Sequence, residues 1–94
     1  MTTKKVYDDV WDAIEQDHGM AQNLRLRSAL MMKIAEYVEQ SGLTQVEAAR
    51  HLGTTQPRLN DIIKGRIEKC TVDRLVNMLS QAGFRVDLDI HRAA

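Results

Sequence analysis

Amide and basic side chains are concentrated in one short stretch of the second half of the chain. Gln56 and Asn60 carry amides, which can form paired hydrogen bonds with an adenine edge. Arg58 can bind guanine or a phosphate group. Lys64 and Arg66 follow at the far end of the stretch, where they are placed for phosphates. This combination of amide and cationic groups predicts contact with double-stranded DNA.

Four further residues complete the candidate site. Gln45 begins the preceding helix, from which its side chain and nearby backbone N–H groups can bind a phosphate. Thr55 is the expected N-cap of the next helix, and Pro57 falls in its first turn, where a missing N–H is tolerated. Asp61 either accepts a hydrogen bond from cytosine or turns outward and pairs with Arg58 or Lys64. The candidate DNA-binding residues are Gln45, Thr55, Gln56, Pro57, Arg58, Asn60, Asp61, Lys64 and Arg66.

Two short helices joined by a tight turn are predicted to position these residues. Thr44 and Glu47 have the spacing of a capping box, so the first helix begins here and ends before Gly53. The second helix begins after Thr55 and ends at Gly65. Such a pair is a helix-turn-helix, whose second helix enters the major groove. The small residues Ala48 and Ala49 are expected where the second helix crosses the first closely. The side chains expected to be buried are Val46, Ala49 and Leu52 in the first helix and Leu59, Ile62 and Ile63 in the second.

Three more helices are predicted around this pair. Apolar residues at four-residue spacing predict a short amphipathic helix over 5–16. A last helix is expected over 71–82, with Thr71 as its N-cap. The longest periodic segment, 21–41, predicts a helix whose buried stripe is Leu26, Leu30, Ile34 and Val38.

The end of the chain changes to a two-residue period, which is typical of a β-strand. A lone strand leaves its backbone N–H and C=O groups unpaired, and the simplest partner is the same strand of a second copy. We therefore expect a homodimer. The residues expected to form this dimer contact are Phe84, Val86, Leu88 and Ile90.

Composition fits one small domain of 94 residues with a formal net charge of zero. The charge is unevenly distributed: residues 1–20 have two basic and five acidic side chains, whereas residues 42–70 have five basic and three acidic ones. We expect no metal, cofactor or enzymatic activity, because the histidines are scattered and no catalytic triad, P-loop or carboxylate pair is recognisable. The single cysteine, Cys70, gives no disulfide and is expected to be buried. No membrane span or signal peptide is expected.

The stretch from Thr44 to Gly65 resembles the phage-repressor (Xre) type of helix-turn-helix. Its frame is similar to small HigA-like antitoxins and regulators: Gly42 to Arg58, then Ile62 to Arg66, then Asp73 to Val86. The resemblance implies that Gln45 contacts a phosphate, that Gln56 reads adenine, and that Pro57, Asn60 and Asp61 face the groove. It also implies a bacterial cytoplasmic, nucleoid-associated repressor that acts on double-stranded operator DNA.

The fold expected from these observations is mainly α, a five-helix bundle with a lambda-repressor-like helix-turn-helix and a C-terminal β-strand that pairs across a dimer. The domain organisation expected is an acidic N-terminal segment over 1–19, a DNA-binding domain over 20–83, and a dimerisation strand and tail over 84–94. The alternative is an antitoxin that mainly sequesters a toxin protein, with the acidic segment and Trp11 as its contact surface.

Overall fold

The computed structural model describes residues 18–92, which form four α-helices and one short 3₁₀ helix. The mainly helical class is therefore confirmed, while the helix predicted over 5–16 lies outside the described residues. None of the described helices is long and apolar enough to cross a membrane. The elements are α1 (His18–Ser41), α2 (Gln45–His51), α3 (Gln56–Ile63), the 3₁₀ helix (Ile67–Lys69) and α4 (Val72–Gln81).

The core lies between α1 and the three shorter helices, all of which pack against it. Ile34 of α1, Leu52 after α2 and Leu59 of α3 are fully buried. Ala48 and Ala49 are also buried, and their small size allows α2 and α3 to cross closely, as the sequence predicted. The largest side chains with almost no exposure are Ile34, Leu52, Leu59, Leu75 and Leu79.

The buried face of α1 is rotated from the predicted stripe. Leu26 is 48% exposed, whereas Met31, which is not part of the predicted stripe, is 5% exposed. Ile34 and Val38 do face the core, as predicted. The prediction was wrong at Leu26 because hydrophobicity alone places the charged Arg27 on the solvent side of α1. In the structure Arg27 faces the rest of the domain, so the neighbouring Leu26 faces solvent.

Arg27 joins α1 to the segment that follows α3. Its Nη1 donates to the carbonyl oxygens of Ile67 at 3.1 Å and Cys70 at 3.2 Å. Its Nε donates to Oδ1 of Asn23 at 2.7 Å, which orients the guanidinium group. Because a planar guanidinium can serve several acceptors at once, Arg27 fixes both ends of the 3₁₀ helix against α1.

Side-chain caps define the starts of α2, α3 and α4. The predicted capping box is confirmed: the Glu47 backbone N–H donates to Thr44 Oγ1 at 3.2 Å, and the Thr44 backbone N–H donates to Glu47 Oε1 at 3.1 Å. The bonds that the Thr44 backbone N–H and hydroxyl donate to the Glu47 carboxylate lower the pKa of that carboxyl. Thr55 and Thr71 cap α3 and α4 in the predicted manner. Three polar residues therefore fix where the short helices begin.

Gly53 makes the turn between α2 and α3. Its φ of 66° is in the left-handed region, and the N–H of Thr54 returns to the carbonyl of Ala49 at 2.9 Å to close α2. A Cβ at this position would lie 3.0 Å from Cγ of Gln81, which covers the turn from the end of α4. Glycine is therefore required both by the backbone and by the neighbouring helix.

We expect Gly53→Ala to lower the free energy of unfolding by about 1–3 kcal/mol, because alanine is strained at positive φ and would displace Gln81. Gly42→Ala is the matched control, since Gly42 has a similar φ of 72° and nothing within 4 Å of the added Cβ. Urea denaturation measures both variants. Equal losses would show that the Gln81 contact contributes nothing.

The C-terminal strand is not formed in the single chain. Residues 84–92 carry neither helix nor strand in the single chain, so the predicted strand is not seen here and its pairing across a dimer stays a prediction. The physical reason is that a strand requires a neighbour for its backbone hydrogen bonds. Phe84 packs on the core, but Leu88 and Ile90 are 76% and 85% exposed.

Candidate nucleic-acid interface

The outer side of α3 carries four of the nine candidate residues. Leu59 and Ile62 point inward and are buried, as predicted. Pro57, Asn60, Asp61 and Lys64 follow helical spacing on the opposite side. We call these four residues the outer face of α3.

The prediction that Ile63 is buried was wrong, because its side chain is 37% exposed. Val46 of α2 is likewise 50% exposed. Both residues lie on helices of only seven and eight residues, whose apolar side chains need not all find a place in the core. The helix pair therefore presents some apolar surface beside its polar groups.

The N-terminus of α3 is open to solvent. Thr55 Oγ1 accepts a hydrogen bond from the Arg58 backbone N–H at 3.3 Å, so its oxygen is engaged as a cap. Gln56, the first residue of the helix, is exposed, and Pro57 beside it is exposed as well. This end can approach a base edge with the Gln56 amide and with the positive end of the helix dipole.

Asp61 pairs with Arg66, which the sequence did not predict. Arg66 Nη1 lies 2.8 Å from Asp61 Oδ1, whereas Arg58 and Lys64, the expected partners, form no such bond. The turn at Gly65 brings Arg66 back over α3, because the Arg66 backbone N–H also bonds to the Asp61 carbonyl at 2.9 Å. The pair offsets a negative charge on the outer face, and it engages a cation that was predicted to contact phosphate.

Arg58 lies on the side of α3 that faces α4. It lines a small depression together with Asp61, Lys69 and Arg74, with buried Cys70 behind them. The depression therefore brings three cations and one carboxylate together. The sequence did not predict Arg74 as part of the site, because its helix was assigned only to the core. Its position three residues after the Thr71 cap was the available signal.

Gln45 and Cys70 differ in burial. Gln45 is the first residue of α2 and is half-buried. Cys70 is 6% exposed, as predicted. Burial raises the pKa of its thiol, which reduces the reactive thiolate fraction.

Comparison with known families decides the class of this arrangement. A family model described as a helix-turn-helix domain matches residues 14–91. The chain belongs to this helix-turn-helix family. The comparison with curated proteins returned no match.

In a DNA-binding helix-turn-helix, the first helix supports the second, which is the recognition helix. In this helix-turn-helix protein, α2 and α3 occupy these two positions. The family match includes α1 to α4 and nearly all of the exposed C-terminal residues. It indicates a DNA-binding regulator. The individual contacts of Gln45, Gln56, Asn60 and the remaining candidate residues stay predictions.

Proposed function

We propose that this protein is a sequence-specific repressor that inserts α3 into the major groove of operator DNA. The observation that carries the proposal is the outer face of α3 in a member of a helix-turn-helix family: Pro57 and Lys64 are exposed, Asn60 and Asp61 are half-buried, and exposed Gln56 lies at the N-terminus. Amides and cations are the groups that read base edges in the major groove. No enzymatic activity is part of the proposal.

Phosphate contacts would come from both sides of α3. Gln45 at the start of α2 reaches one strand, and Arg58, Lys69 and Arg74 around the depression beside α4 reach the other side of the groove. Such contacts fix the register of the protein on DNA but do not read sequence. They also explain how a chain with zero net charge can bind DNA, since the cations are concentrated near α3.

We further propose that the repressor acts as a homodimer on a near-palindromic operator, with the half-sites about one helical turn apart. The proposal is supported by the exposed apolar residues Leu88 and Ile90, which a second copy would cover. Binding at its own promoter would block polymerase. An antitoxin role, with a toxin as second partner, is compatible with this autoregulation.

We expect Gln56→Ala to weaken binding to DNA upstream of its own gene by about tenfold or more, the usual cost of one paired base contact. The reason is loss of the amide at the open end of α3. Fluorescence anisotropy across a salt series measures the affinity, and wild type should show a steep loss of affinity with salt.

Gln40→Ala is the matched control, because Gln40 is an exposed glutamine on α1 and lies far from α3 in sequence. It should bind as wild type does. If Gln56→Ala and Gln40→Ala bind alike, α3 does not read bases through Gln56. Equal affinity of wild type for upstream and random DNA would favour the alternative in which the protein sequesters a toxin.

A further inference from the structure

The C-terminal segment, residues 84–92, has one apolar and one charged side. Arg85 Nε lies 2.9 Å from Asp87 Oδ1, and His91 Nε2 lies 3.4 Å from Asp89 Oδ2. Contacts between residues two apart place these side chains on the same side of an extended backbone. The segment therefore has the side-chain geometry of a strand, although it has no backbone partner.

We infer that two copies pair antiparallel through this segment with the two-fold axis at Asp87. Arg85 then lies opposite Asp89 of the second copy, and Phe84 lies opposite its Ile90. This inference rests on the dimer of the proposed function and adds to it which residues meet. Three positions of the two-fold axis are compatible with the alternating pattern. The burial, charges and backbone angles of the segment distinguish between them.

The alternation of side chains first restricts the axis to a residue rather than a peptide bond. Pairing around a point between two residues would place Arg85 opposite Ile90 and so bring a charged side chain against the apolar side. A slip of one residue turns the whole apolar set to the wrong side of the ribbon. A two-fold axis at Val86, Asp87 or Leu88 keeps the apolar sides of both strands on the same side of the ribbon.

An axis at Val86 leaves the end of the segment without a partner. It would place Ile90 opposite Ala82, which ends α4 with φ −84° and ψ 4°. A residue in this conformation is not extended and cannot continue a ladder. Ile90 is 85% exposed, the highest value among the exposed large apolar side chains of the described chain, and it would remain so.

An axis at Leu88 brings like charges together. Asp87 would lie opposite Asp89 of the second copy at two symmetry-related positions, and like charges directly opposite destabilise a strand pair. It would also place Arg92 opposite Phe84. The ring of Phe84 already has Lys33 Nζ 5.7 Å from its centroid, so a second cation would meet a like charge there.

An axis at Asp87 gives two Arg85–Asp89 pairs and leaves no apolar residue of the segment unpaired. Phe84 meets Tyr37 edge-on, with ring centroids 5.7 Å apart, so Ile90 opposite Phe84 would extend an apolar cluster already present on α1. The one unfavourable contact is Asp87 with its own copy. Each of these carboxylates already has Arg85 of its own chain at 2.9 Å.

Disulfide trapping tests the register in a Cys70→Ser background, which removes the only native thiol. Chains with Val86→Cys, Asp87→Cys or Leu88→Cys are oxidised separately and in pairs, and linked dimers are quantified by gel. We expect Asp87→Cys to link to itself fastest, and Val86→Cys to link to Leu88→Cys in the mixture. Identical residues at 86 or at 88 would be diagonal neighbours about 7–8 Å apart, too far for a disulfide.

Fast self-linking of Val86→Cys or Leu88→Cys would overturn the inferred axis. A second measurement uses charge reversal: Arg85→Glu should lower the dimer fraction in sedimentation, and adding Asp89→Arg should restore it. Restoration by Asp87→Arg instead would also overturn the axis. Operator binding of the reduced cysteine chains distinguishes a wrong register from a wrong function. If only the register is wrong, these chains still prefer the operator to random DNA. If the proposed function is wrong, none of them prefers the operator.

Discussion

A chain that ends at Phe84 should be monomeric and should lose about 10²- to 10⁴-fold in operator affinity, the range expected when two linked binding events become one. Removing residues 85–94 takes away the segment that would pair, while Phe84 keeps its contacts with Tyr37 and the core. The helices should stay folded, since residues 85–92 are exposed. Sedimentation velocity and anisotropy titration measure the two effects, and circular dichroism confirms the fold.

A chain that ends at His91 is the matched control, because it loses the last three residues but keeps all those from Phe84 to Ile90, which would pair. It should remain dimeric and bind as the full chain does. If the chain that ends at Phe84 still sediments as a dimer, the C-terminal segment is not the interface. If it is monomeric yet binds the operator with full affinity, repression does not need two recognition helices.

Local signals in the sequence were sufficient for the helix-turn-helix. Thr44, Glu47 and Thr55 act through hydrogen bonds within a few residues, and glycine acts through its own backbone angle. Such effects are readable from spacing alone. The bounds of α2 and α3 and the crossing at Ala48 and Ala49 therefore agree with the prediction.

Contacts between residues that are distant in the sequence could not be predicted from the sequence. Arg27 binds backbone carbonyls some 40 residues away in the sequence. Hydrophobicity alone wrongly predicted that this side of α1 faces solvent. Arg66 reaches Asp61 only because Gly65 reverses the chain after α3. The two-residue period at the C-terminus does predict a strand, but its hydrogen-bond partner would belong to another molecule, so the single chain does not test it. In each case the deciding group is specified by tertiary or quaternary geometry.

Leu59→Ala should be the most destabilising single change in α3, with a loss of about 2–5 kcal/mol in the free energy of unfolding. Leu59 has no exposed surface and packs in the cluster that joins α3 to α1 and α4. Small domains have only about 5–15 kcal/mol of stability, so this variant should unfold at much lower urea concentration. DNA binding should be lost in parallel, because α3 depends on this contact for its position.

Ile63→Ala is the matched control on the same helix, and the comparison tests more than stability. Sequence periodicity treats Leu59 and Ile63 as equally buried, but Ile63 is 37% exposed, so its replacement should cost much less. The ratio of the two losses reports which side of α3 faces the core. Equal losses would mean that α3 is rotated about its axis, and Pro57, Asn60, Asp61 and Lys64 would then no longer form the face presented to DNA.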